Sequence, residues 1–212
     1  MKYVNSMNLF RVKKKNLTRT ILIPCLDEDT YSCYVATDAS VTSKYHGRCL
    51  FIGRFQPFHL GHFKVVKRLL KRYDEIVIVI GSAENNSAEN PFSAGERVEM
   101  IRSAFTKNDL SRIIIVPVRD INNHSHWVKH VQSYVPFFDV VYSNNPIVKK
   151  LFEKSGVKVF SVSYFDRLNK VGRHIRMLIK NRKKQWTMHV PNKVASFLIK
   201  INAEKRLRSD FY

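Results

Sequence analysis

Long apolar runs are missing from this sequence. Nowhere does it approach the about 20 consecutive apolar residues that a membrane-spanning helix needs, so no membrane is expected as a partner. The opening stretch, MKYVNSMNLFRVKKK, has no continuous apolar segment of the kind a secretory signal contains. Cysteine is scarce and odd in number. Cys25, Cys33 and Cys49 form no C-x-x-C pair, and Cys25 and Cys33 lack nearby histidines at ligand spacing. They read as free thiols in a reducing compartment, with no zinc site, and a cytoplasmic protein is the expectation. Acid is the other shortage: 17 Asp and Glu face 37 Lys and Arg, a formal charge of +20. Such an excess attracts polyanions, whether nucleotides, nucleic acid or an anionic surface. It is unevenly spread, since residues 166–212 hold 13 basic and 3 acidic side chains, half of the whole excess.

What is present is a regular alternation that starts near residue 48. RCLFIG, EIVIVIGS, RIIIVPV, DVVYS and VKVFSV are short apolar runs that read as buried strands. Between them lie amphipathic segments. HLGHFKVVKRLLKRY places Leu60, Phe63, Val66, Leu69 and Leu70 on one helical face with lysines and arginines between. Ser93 with Glu96 has capping-box spacing at the start of another helix. HSHWVKHVQSY and NPIVKKLFEKSG read as further helices, and two more are expected around residues 173–182 and 192–203. Continuously apolar strands alternating with helices predict an α/β fold: a doubly wound, parallel, five-stranded sheet with C-terminal helices. Residues 1–46 lack strong periodicity and read as an N-terminal extension, residues 47–182 as the α/β domain, and residues 183–212 as a basic helical segment packed on it.

In such folds ligands sit at the carboxyl ends of the strands, which directs attention to GRFQPFHLGH, Gly53 to His62. Gly53 allows a sharp turn or close approach of the backbone to a ligand. His59 and His62 flank the start of a helix, where backbone N–H groups and the helix dipole favour phosphate. Gly61 leaves that approach open. Two imidazoles there can donate hydrogen bonds to phosphate oxygens as charge develops.

This segment resembles the H-x-G-H signature of the nucleotidyltransferases. IGSAENNSAENPFSAGERVEMI (80–101), PVRDINNHSHWVKHV (117–131) and VYSNNP (141–146) are similar to three further segments of the archaeal-type nicotinamide mononucleotide (NMN) adenylyltransferases, in the same order. The resemblance implies a Rossmann-like domain that joins NMN to ATP, with Mg²⁺ accompanying the ATP, to give NAD and diphosphate. It further implies that Gly53, Arg54, Phe55, His59 and His62 lie along the ATP. Gly172, Arg173 and Arg176 would complete that side, with His59, His62, Arg54 and Arg176 as the catalytic set. Trp127 would stack on the nicotinamide ring, a cationic pyridinium favouring an electron-rich face. Ser82, Asn90, Arg97, Asp120 and His124 would stand on the same pyridine-nucleotide side. Core packing for Trp127, a helix N-cap for Asp120 and a salt bridge of Arg97 with Glu96 or Glu99 are the plain structural alternatives. Members of this family are commonly homo-oligomers, so a homo-oligomer is also implied.

The sequence departs from the family at KVGRHIR (170–176), where Val171 and Arg173 replace a serine and a threonine that donate hydroxyls to phosphate. Arg173 and His174 are the replacement phosphate ligands on one reading. On the other, the chain is a catalytically altered relative that binds nucleotide or nucleic acid in a regulatory role. His124 stands where the family often has asparagine. The basic cluster Lys180, Arg182, Lys183 and Lys184 replaces residues that are usually acidic, and is read as a solvated helix end, or as steering ATP, contacting nucleic acid or facing a partner subunit.

Overall fold

The computed structural model describes residues 45–85, 87–121, 123–162 and 168–208, with only the backbone of residues 45, 46 and 168–171. The extension expected over residues 1–46, with Cys25 and Cys33, therefore lies outside the described residues apart from the start of the first strand.

Five strands form one all-parallel sheet: β1 (Tyr45–Gly53), β2 (Tyr73–Ile80), β3 (Ile113–Pro117), β4 (Val140–Tyr142) and β5 (Lys158–Phe160). Their spatial order is β3-β2-β1-β4-β5. The winding reverses between β1 and β4, and a crevice opens there beyond the carboxyl ends of the strands. The apolar runs are continuous because both faces of the sheet are covered. Cys49, Phe51, Ile76, Ile78 and Ile80 point into one core, and Leu50, Ile52, Val77 and Val79 into the other. The buried Cys49 thiol is held protonated, its pKa raised by burial.

The first core is closed by α1 (Leu60–Arg72) and α2 (Ala94–Ala104), and the second by α4 (His124–Tyr134) and α5 (Pro146–Lys154). In α1 the buried residues are Val65, Val66, Leu69 and Leu70. Leu60 and Phe63, expected on that face, are only half-buried, and Phe63 packs against the margin of the core, stacked on Phe105 at 5.1 Å. The Ser93–Glu96 capping box forms as its spacing predicts. A short helix the pattern did not announce, α3 (Lys107–Leu110), carries its own box of Thr106 and Asp109.

The C-terminal region differs from the two expected helices. It forms α6 (Leu168–Lys180), a 3-10 turn (Lys184–His189), α7 (Asn192–Lys200) and α8 (Ala203–Arg208). The expected helix 192–203 breaks at Asn202, whose φ of 51° is left-handed, a conformation asparagine tolerates better than most residues. Val190, Val194, Leu198 and Leu207 enter the same core as β1 and α1. Arg206 of α8 bonds both carboxylate oxygens of Glu96, at 2.7 and 2.6 Å. Among the described residues no helix is long and apolar enough to cross a membrane.

Candidate active site

The loop leaving β1 is built inward from its own aromatic residues. Phe55 is buried at a φ of 53°, and its ring folds back so closely that a Cβ on Gly53 would lie 2.9 Å from it. The close approach that Gly53 permits is thus made by Phe55. The same ring meets His62 edge-on, at 4.8 Å between centroids.

His59 and His62 close a reciprocal cap at the start of α1. The Nδ1 of His59 accepts the His62 backbone N–H at 3.3 Å, and the Nδ1 of His62 accepts the His59 N–H at 3.4 Å. The rings stack at 3.6 Å with 19° between their planes. Burial, with a smaller contribution from His189, pushes the His59 pKa down to about 3. Burial and then His59 hold His62 well below the ordinary range. Both rings are therefore neutral at physiological pH. With Nδ1 used as acceptor, the single ring proton of each sits on Nε2. Both residues line the crevice, so the cap converts them into two fixed N–H donors.

These shifts tie stability to pH. An unfolded imidazole titrates near 6.5, so on acidification the unfolded chain takes up protons before the folded one. The contribution of the pair is complete above pH 6.5 and is lost as the pH falls from 6.5 towards 3. Urea denaturation compared at about pH 7.5 and about pH 5 should show a lower midpoint at the acidic value. The drop should shrink in His59→Ala, and an equal drop in both proteins would contradict the assignment.

Gln56, which sequence reasoning passed over, holds the loop in place. Its buried amide donates to the Phe92 carbonyl at 2.9 Å and accepts the Phe92 N–H at 3.0 Å. Its own carbonyl accepts Arg176 Nη1 at 2.7 Å. Gly172 lies against the same carbonyl, where a Cβ would come within 3.0 Å. This contact seats the α6 segment that carries Arg173 and Arg176. Arg176 is half-buried and its pKa is lowered, first by burial and then by Arg54. Arg54 and Arg173 are exposed on the crevice wall.

On the other side, Ser82 donates to Asp120 at 2.5 Å, and the Asp120 backbone N–H donates to Glu84 at 3.0 Å. The N-cap of α4 is Asn123, so that alternative for Asp120 falls away. Trp127 lines the crevice with one part of its indole and meets Phe152 edge-on with another, at 5.8 Å. His124 lines the wall beside it at the first turn of α4. Asn145 caps α5, and the Asn144 amide pairs with both backbone groups of Val162.

Two expected site residues stand behind the crevice rather than on it. Asn90 is buried in the loop before α2, and its Oδ1 has no partner among the described residues. Arg97 is fully buried and spends its guanidinium on five backbone carbonyls, those of Ser93, Arg54, Gly81, Ser82 and Ala83. Neither of the expected acids, Glu96 or Glu99, pairs with it among the described residues; Glu96 goes to Arg206. Burial lowers the Arg97 pKa to about 10, which leaves it charged at neutral pH. It clamps the loops after β1 and β2 together from below.

The crevice has a volume of about 1340 Å³, beyond the roughly 300–1,000 Å³ of a site for one small molecule. It has room for two nucleotides. One side offers Arg54, Arg173, Arg176, Lys180 and two neutral imidazole donors. The other offers an indole, a histidine and the Ser82–Asp120 pair.

A doubly wound parallel sheet, with two neutral imidazole donors at the start of its first helix and a wide crevice at the switch point, has the architecture of a nucleotidyltransferase. Residues 50–201 match the model of the cytidylyltransferase-like family. A nicotinamide-nucleotide adenylyltransferase of Archaeoglobus fulgidus is 47% identical over 167 residues, covering 76% of this chain and 95% of that protein. One from Ignicoccus hospitalis is 46% identical over 164 residues, covering 76% and 96%. The chain belongs to the nicotinamide-nucleotide adenylyltransferases of the cytidylyltransferase-like family. Among solved structures, a bifunctional NMN adenylyltransferase/ADP ribose pyrophosphatase from Francisella tularensis superposes with a TM-score of 0.58 at 22% identity. That match covers 78% of this chain and 52% of the other, so the chain spans about half of that protein, and the likeness speaks for the fold.

Proposed function

We propose that the chain transfers the adenylyl group of ATP to NMN in the cytoplasm, giving NAD and diphosphate, with the residues of the crevice in the following roles. An NMN phosphate oxygen attacks the α-phosphorus of ATP in line; the bond from that phosphorus to the bridging oxygen breaks, and diphosphate leaves with the electron pair. No covalent enzyme intermediate is needed, so catalysis consists of positioning and charge stabilisation. Mg²⁺ enters as part of the substrate, MgATP; the Francisella neighbour is described as complexed with AMP and a Mn ion. The observation that carries the reading is the reciprocal histidine cap, which uses both Nδ1 atoms and leaves two neutral Nε2–H donors on residues that line the crevice at the N-terminus of α1, where a triphosphate would be favoured. Arg54, Arg173 and Arg176 add cationic contacts to the same phosphates. NMN lies on the Trp127 side, with His124, Asp120 and Ser82 around it. Asn90 and Arg97 support these walls from behind.

The test is NAD formation by the purified chain from ATP, Mg²⁺ and NMN, with His62→Ala as control. NAD from the parent protein and not from the variant supports both reaction and site; a folded protein that yields none refutes the reading. Trp127→Ala should raise the KM for NMN about tenfold through loss of the ring stack, with kcat little changed. Trp127→Phe should recover most of it, and steady-state kinetics at saturating ATP reads both. An unchanged KM in Trp127→Ala would remove the stacking role.

A further inference from the structure

The basic cluster at the end of α6 separates once its surroundings are known. Arg182 pairs with Glu204 at 2.6 Å. Lys183 precedes the 3-10 turn and Lys184 begins it, and neither lines the crevice. Lys180 does line it. Helical spacing explains the difference. Arg173, Arg176, Met177 and Lys180 fall on one face over successive turns, and all four are part of the crevice wall. Arg173 and Lys180 are exposed, and among the described residues no carboxylate pairs with either. Arg176, between them, is occupied in part by the Gln56 carbonyl. Among the described residues the crevice therefore carries two cations without an acidic partner, Arg173 and Lys180, beside the position where Arg176 meets the loop after β1. From Arg173 to Lys180 the helix rises about 10 Å, a span that two linked phosphates and two long side chains bridge.

We infer that Arg173 and Lys180 form an outer anion subsite, which takes the terminal phosphates of the nucleoside triphosphate and retains them as diphosphate after transfer. This rests on the adenylyl-transfer reading for its biological meaning, but the subsite itself is defined by its chemistry: it binds a diphosphate-type polyanion. Arg173 lies in the segment that departs from the family pattern and Lys180 lies two turns further on. The two hydroxyl donors missing at residues 171 and 173 are thereby offset by charge placed along the helix. A point charge on a flexible stem suits an anion that must also leave, whereas a bidentate arginine holds phosphate more rigidly.

Calorimetry with inorganic diphosphate and, separately, with AMP tests this at fixed ionic strength. The proteins are the full chain, Lys180→Ala, Lys180→Glu and Lys183→Ala. The expected result is a diphosphate Kd raised about tenfold in Lys180→Ala, the loss of one charge-assisted contact, and raised further in Lys180→Glu. Lys183→Ala removes the same charge away from the crevice and should change it by about twofold or less. AMP has no terminal phosphates, and its Kd should stay the same in all four proteins. Equal losses for Lys180→Ala and Lys183→Ala would overturn the subsite in favour of a general field. Equal losses for AMP and diphosphate, or no diphosphate binding by the parent chain, would overturn it as well. Binding is read without turnover, so a protein that makes no NAD still decides the matter.

Discussion

His62→Ala is expected to lower kcat by a factor of about 10²–10³, the usual consequence of removing a preorganised donor from developing charge. His59→Ala should do about the same. Each substitution also opens one side of the reciprocal cap at α1. A lost cap costs about 1 kcal/mol, against a total stability of about 5–15 kcal/mol. The variants therefore stay folded, and the lost turnover reports chemistry. Circular dichroism melting alongside single-turnover kinetics separates the two contributions. A kcat within threefold of the parent protein in both variants would remove the histidines from the mechanism.

Arg97→Ala should have the largest effect on stability. The side chain satisfies carbonyls from three stretches of chain, at Arg54, at Gly81–Ala83 and at Ser93. Leaving even two of these unpaired costs roughly 2–6 kcal/mol, a large share of the whole stability. Urea denaturation is expected to show a loss of about 3 kcal/mol or more. Arg97→Lys should recover less than half, because one ammonium cannot supply five directed donors in a planar fork. Both variants unfolding within about 1 kcal/mol of the parent would contradict the clamp. Activity should fall along with stability, since Arg54 and Ser82 sit on the clamped loops.

The fold was legible because strands covered on both faces are apolar at every position, which makes them conspicuous in sequence. The Ser93–Glu96 cap was legible because serine and glutamate three apart are a known signal. The His59–His62 cap was not, since histidine is outside the usual capping set, and the pair announced itself only as chemistry. Arg97 illustrates a second limit. Its neighbours in sequence suggested an ion pair with Glu96, yet Glu96 is taken by Arg206, 110 positions away, and backbone carbonyls leave no residue pattern at all. Gln56 was hidden for the same reason, as both ends of its amide serve the backbone of Phe92. The side of α6 that carries Lys180 depended on how that helix docks, through Gly172 and Arg176, against Gln56. The break at Asn202 was missed because asparagine also occurs within helices.

The histidine pair has a consequence for how this sequence can change. Each ring serves the helix backbone with one nitrogen and the crevice with the other. An asparagine amide reproduces the Nδ1 end of an imidazole and a glutamine amide the Nε2 end, but neither reaches both. A single replacement thus yields a helix start that is capped but stops short of the substrate, or one that reaches the substrate without a cap. Each ring takes its partner from the other residue's backbone, an N–H that any residue but proline supplies, so either histidine keeps its capping bond when the other is replaced. The cap is therefore divisible: alanine at one position takes away one helix-terminal acceptor and one crevice donor together, and leaves the other half in place.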